Sequence, residues 1–278
     1  MTNIDQFESV FKAADKPVFH PHDVSLPRRV VVCDAVGGAA EEFAQRCKKF
    51  LTDDEDAHWD VISGDQFGQL GELLTKLAEL DPHFVVTHRN LHVSAAEHPF
   101  SLGTYLDVLT QATPYPVLVV PNVGRANDRP IRHVMAISDQ LVGEDRLVSF
   151  AARLTAKGGT LILAHVEDEI IFNRYMDAIA KIPAIDTDPA KELILERLLE
   201  DPLNFIESCR ETLIAGGFEG EVRALVQTGH RISICTKLVE EDDVDVLVLN
   251  TKDDEQLAMH GLAYPLAVEL RDTPLLLL

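Results

Sequence analysis

Basic residues are few. Lys and Arg number 25 against 46 Asp and Glu, a formal charge of −21 over 278 residues. So acidic a surface repels nucleic-acid phosphates and anionic lipid head groups, and neither is expected as a partner. Cysteine is scarce as well: Cys33, Cys47, Cys209 and Cys235 show no CxxC spacing and lie in stretches that read as strand or helix. That argues against a disulfide framework or a zinc ribbon and for small buried hydrophobes. No apolar run approaches the ~20 residues of a membrane span, and residues 1–19 carry acids where a secretory leader has a basic end and an apolar stretch. A cytoplasmic location is the expectation. What is present, 46% hydrophobic and 26% charged residues, is an ordinary globular composition, and the length suits two domains of about 150 residues.

After a polar opening with Pro17, Pro21 and Pro27, the apolar run Val30-Val31-Val32-Cys33-Asp34 leads into Gly37-Gly38 and a helical pattern ending near Phe50. Trp59-Asp60-Val61-Ile62, the turn Gly64-Asp65, and Leu70, Leu73, Leu74, Leu77 and Leu80 at helical spacing form a second strand-turn-helix unit. Phe84-Val85-Val86, a polar loop, a helix opened by Gly103-Thr104 and the strand after Pro116 complete the series. Apolar strands alternating with helices predict a largely parallel sheet. Residues 122–129, bounded by Pro121 and Pro130, read as a linker.

Beyond the linker the pattern restarts with Val134-Met135-Ala136-Ile137-Ser138-Asp139, a helix over about 144–157 and the strand Leu161-Ile162-Leu163-Ala164-His165-Val166. Residues 170–185 read as a loop-prone segment containing Phe172, Tyr175 and Met176; Asp188-Pro189 then starts a long helix reaching Gly216-Gly217. Strand, turn and helix alternate from Val222 to the last strand at residues 274–278, giving a five-strand α/β domain. Gly103 precedes Pro116 by thirteen residues and Gly261 precedes Pro274 by thirteen, and Gly64-Asp65 matches Gly229-His230. Two tandem copies follow, over 28–122 and 130–278, the first about 50 residues shorter.

The strand endings VVVCDA and VMAISDQ, the strand LILAHV, the turns SGDQ and TGHR, and the helix-strand pairs GTYLDVLTQATPYPVLVV and GLAYPLAVELRDTPLLLL resemble the universal stress protein family in its tandem form. The resemblance covers about 29–278. It implies two doubly wound parallel α/β domains of the adenine-nucleotide α-hydrolase-like kind, with ligand at the carboxyl ends of the strands. In nucleotide-binding members the loop after the fourth strand reads Gly-x2-Gly-x9-Gly-Ser/Thr. Its glycines let backbone N–H groups close on phosphate, and the Asp ending the first strand faces the nucleoside. Carried over, these positions are Asp34, Gly103 and Thr104 in the first copy, with Arg89 in the intervening loop, and Asp139 and Gly261 in the second.

This chain departs from that pattern. In the second copy the loop 250–260 has no glycine and carries Asp253-Asp254-Glu255, and Leu262 replaces the hydroxyl residue. Two like unit charges ~4 Å apart at an effective dielectric of ~20 repel by about 4 kcal/mol, so an acid facing phosphate there opposes binding. In the first copy, residues 87–102 contain His88, Arg89, His92 and His98 but no glycine, and a strand-helix unit is missing. The missing unit is read as the second strand, which helps hold adenine in the family.

Plainer readings stand beside these. Asp34 and Asp139 can cap turns, Gly103-Thr104 can cap a helix, and Glu240-Glu241-Asp242-Asp243 can solvate a helix end. His88 and His92 have the spacing of metal ligands on a helix but fall in a loop without a Cys or Glu motif, so no metal is expected. Ser63 and Ser138 sit in no Gly-x-Ser-x-Gly turn. The expectation is a non-catalytic stress-response scaffold or regulatory binding module without a resident cofactor, and with protein partners. Two alternatives stay open. One is an ATP-hydrolysing or autophosphorylating protein using Asp34, Arg89, Gly103 and Thr104. The other is a sensor of a non-nucleotide small molecule, held in the second copy beneath a flap at Phe172, Tyr175, Met176 and Ile179. The last strands of the two copies are expected to pair into an intramolecular pseudo-dimer, and homodimers are possible beyond it.

Overall fold

The computed structural model describes residues 16–51, 56–93, 101–122, 130–182, 187–251 and 261–278. Linker residues 123–129, the acidic run at 253–255 and His98 lie outside the described residues. The first half contributes β1 (Arg28–Val32), α1 (Gly38–Phe50), β2 (His58–Ile62), α2 (Leu70–Leu80), β3 (Phe84–His88), α3 (Thr104–Ala112) and β4 (Val117–Val120). The second contributes β5 (His133–Ile137), α4 (Asp145–Leu154), β6 (Thr160–Asp168), α5 (Glu169–Ile179), α6 (Thr187–Ala215), β7 (Glu221–Gly229), α7 (Arg231–Glu241), β8 (Val246–Leu249), α8 (Ala263–Glu269) and β9 (Leu275–Leu277).

The nine strands among the described residues share one sheet, in the order β2-β1-β3-β4-β9-β8-β5-β6-β7. Pairing is parallel within each half and antiparallel where the halves meet, with Val117 opposite Leu277, Leu118 opposite Leu276 and Val119 opposite Leu275. Side chains alternate across the sheet, and the alternation runs unbroken through this seam. Leu118 and Leu276 face the layer containing α1, α4 and α6. Val117, Val119, Leu275 and Leu277 face the layer of α2, α3, α7 and α8. One hydrophobic core on each face thus spans both halves.

The shortened half differs from its expected plan. β2 pairs directly with β1, from Arg28 opposite His58 to Val32 opposite Ile62, so it fills the second-strand slot. The slot left empty among the described residues is the outer one, which β7 fills beside β6 in the other half. Gly64-Asp65 and Gly229-His230 therefore follow strands in different slots, despite their matching sequences. The physical reason is local: without β2, one edge of β1 would bury unpaired N–H and C=O groups.

Two further segments depart from the sequence reading. Residues 169–179 are helix rather than loop, started by the Asp168 carboxylate, which accepts from the N–H groups of Ile170 (2.9 Å) and Ile171 (3.1 Å). The polar opening is a strap across the second half. The Phe19 N–H donates to Ser208 Oγ and the His22 N–H to Ser149 Oγ, while the Phe19 ring packs edge-on against Phe205 with centroids 6.2 Å apart. The four cysteines are free and buried. Burial pushes the Cys33 thiol up to about 11 and those of Cys47 and Cys235 up to about 12. Thiols so shifted are inert packing groups at neutral pH. Among the described residues, no helix is long and apolar enough to cross a membrane.

Candidate functional site

Parallel winding brings the ends of β1 and β3, and of β5 and β8, side by side at the carboxyl edge of the sheet. Matching Asp34 with Asp139 sets the strand pairs Val30–Val85 and Met135–Leu247 in register, and so matches His88 with Asn250.

In the first half, Asp34 Oδ1 lies 3.0 Å from His88 Nε2, and Oδ2 accepts from the His92 N–H at 3.2 Å. His88 Nδ1 lies 2.8 Å from the Arg89 carbonyl, so both ring nitrogens are engaged and the orientation of the ring is fixed. The hydrogen bond with His88 holds the Asp34 carboxyl down at about 2 against the opposing effect of burial. Beside this pair His92 packs on Phe67 at 4.7 Å and on Tyr105 at 5.3 Å between centroids. His88 and His92 thus have separate engagements and do not converge as a pair of ligands.

Arg89 turns to another task. Its Nη2 donates to the Leu270 carbonyl in the second half at 2.6 Å, just past the end of α8. Burial, with Arg271 nearby, pushes the guanidinium down to about 10. Gly103 takes φ +96° as the residue before α3, and a Cβ there would sit 3.3 Å from Asn90 Cα. Its conformation thus follows from chain geometry alone. Thr104 is the first residue of α3.

A depressed carboxyl stabilises the fold above its unfolded range, and that contribution is lost as pH falls through the folded value. Asp34→Asn is therefore expected to lower the urea midpoint at about pH 5, with the gap from wild type closing as pH falls from about 4 toward 2. A gap of constant size across that series would show that the carboxylate charge contributes nothing.

In the second half Asp139 is equally engaged. Oδ1 accepts from Arg231 Nη1 at 2.8 Å, and Oδ2 accepts from the Leu262 N–H at 3.1 Å. Gly261, at φ +59°, is what admits this contact, since a Cβ there would lie 2.1 Å from Asp139 Oδ2. A second carboxylate closes in from α4's N-cap: Glu144 Oε1 accepts from Ser138 Oγ at 3.0 Å, and Oε2 from Asn250 Nδ2 at 2.5 Å.

Beside Asp139 opens a cavity of about 300 Å³, lined by Gln140, Leu141 and Val142, by His165 and Glu167 of β6, by Arg231 of α7 and by the Leu198–Pro202 turn of α6. His165 and Glu167 are two apart on a strand and so share a face. The roof belongs to α6 and not to a flap at 172–179, where Phe172 and Met176 are buried as packing. Sequence reading named Asp139 here and missed the rest. The alternation in LILAHVED could have placed Glu167 beside His165; nothing local could have placed Arg231 or α6.

Solved structures of similar shape include a universal stress protein from Archaeoglobus fulgidus DSM 4304. It is 12% identical, with a TM-score of 0.51 over 90% of this chain and 95% of that one. The chain shares the universal stress protein fold. A candidate universal stress protein from Pseudomonas aeruginosa UCBPP-PA14 gives 15% identity and a TM-score of 0.51 over 91% of this chain and 93% of that one. A functionally unknown protein from Pseudomonas aeruginosa PAO1 gives 13% and 0.50 over 91% and 92%. No family model matches the sequence, and no curated protein does. The likeness to universal stress proteins is thus one of fold, over about nine-tenths of the chain.

Proposed function

We propose that this universal-stress-protein-like chain is a non-catalytic binding module or scaffold of a stress response, and that neither half holds ATP in the family manner. The observation that carries the reading is the position of Asp139. Its carboxylate already accepts the Leu262 N–H at the start of α8, where a phosphate would need that donor. A fixed anion there both occupies the donor and repels a second anion. Asp34 supports the same reading in the first half, since one of its oxygens faces His88 and the other accepts the His92 N–H.

The two halves, joined through β4 and β9, act as an intramolecular pseudo-dimer that presents one rigid surface to protein partners. Calorimetric titration of the full chain with Mg-ATP, ADP and AMP is the test. No binding tighter than about 1 mM is expected, and Thr104→Val should change nothing. Micromolar binding lost in Thr104→Val would overturn the reading in favour of an atypical nucleotide site in the first half.

A further inference from the structure

We propose that the cavity beneath α6 binds a small organic cation, an amidinium or primary ammonium on a short apolar body. The inference rests on the reading that this half no longer takes ATP, and it names what the cavity takes instead. Two charged pairs cancel at its margin: Arg231 with Asp139 at 2.8 Å, and Arg197 with Asp201 at 3.1 Å. Arg231 is further committed through Nε, which donates to the Val166 carbonyl at 2.9 Å.

Glu167 is then the charge left over. Its carboxylate is 16% exposed, and its neighbour among the described ion pairs is His165 Nε2 at 3.5 Å. His165 itself is 5% exposed, and neither ring nitrogen has a hydrogen-bond partner. A buried imidazole in that state wants a polar partner from whatever enters the cavity.

The roof is broken at a proline. Pro202 lies inside α6 and has no N–H, so the Leu198 carbonyl one turn earlier cannot receive its usual helical bond. Both residues line the cavity. A carboxylate and an imidazole without a hydrogen-bond partner call for a ligand with N–H donors, while Leu141, Val142, Leu198 and Pro202 offer an apolar wall. An anion would meet Glu167 with Arg231 already taken. The cavity volume of about 300 Å³ is at the small end for ligand sites.

Benzamidine, neutral benzamide and anionic benzoate share one shape and differ in charge, so titrating the full chain with each reads the proposal. Benzamidine should bind at least about tenfold tighter than benzamide, with benzoate undetected. Glu167→Gln should weaken benzamidine about tenfold or more, and Glu192→Gln, which removes an exposed acid from α6, should not. Where Glu167→Gln does not fold, the wild-type order and movement of the His165 ring resonances on benzamidine addition decide. Equal binding of benzamidine and benzamide, an unmoved His165 signal, or equal losses in the two variants would overturn the proposal. ATP displacing benzamidine would instead sink the nucleotide-free reading and leave the cation preference standing.

Discussion

Leu276→Asp is expected to cost at least about 4 kcal/mol and to unfold both halves together. Leu276 is fully buried in the middle of β9, opposite Leu118 across the seam and opposite Val248 on its other side. The apolar cluster around it takes side chains from both halves, including Phe84 and Val86 on one side and Val134 and Leu161 on the other. A carboxylate there would be buried among apolar side chains. The loss rivals the total stability of ordinary domains, about 5–15 kcal/mol.

Urea unfolding followed by circular dichroism and by Trp59 fluorescence reads the coupling, because Trp59 is the chain's single tryptophan and lies on β2 at the far edge of the first half. Both signals should shift together. If Trp59 kept its wild-type midpoint while part of the dichroism was lost, the halves would be independent folding units and the seam a mere contact.

Gly64→Ala carries the second large effect. A Cβ at this position would lie 2.1 Å from the backbone oxygen of Asp34, and the Gly64 N–H already donates to the Ala35 carbonyl at 2.9 Å. Two backbones meet here, so no side-chain rotation relieves the clash. A loss of about 1–3 kcal/mol is expected. Gly71→Ala is the matched control: it lies inside α2 with nothing within 4 Å of the added methyl, and should raise stability by about 0.5–1 kcal/mol. Equal midpoints for the two variants would show that the turn at Gly64 yields freely. Because that turn holds the chain carrying Asp34, Gly64→Ala should also disturb the contact between Asp34 and His88.

Much of the frame was legible in residue order. Val30 to Val32, Phe84 to Val86 and Val246 to Leu249 announced themselves as buried strands, since parallel strands covered on both faces read as continuous apolar runs. The equal spacing from Gly103 to Pro116 and from Gly261 to Pro274 leads in both places into a buried strand, β4 and β9. Asp34 and Asp139 were legible as strand-end acids, but their partners were not. His88, Arg231 and the Leu262 N–H reach them through pairings 54, 92 and 123 residues apart. The role of Arg89 was hidden for the same reason, its acceptor lying 181 residues away.

Residue order alone carried most of the strands and helices, α5 being the exception, and the acidic excess of the chain. Local periodicity and charge are properties of residue order, and no folding is needed to read them. Folding in three dimensions put β2 in the second-strand slot, joined the halves through β4 and β9, and laid α6 over a cavity against His165 and Glu167. Those outcomes depend on which unpaired edges and apolar faces meet in space. That competition among distant segments is settled by burial and hydrogen-bond satisfaction over the whole chain.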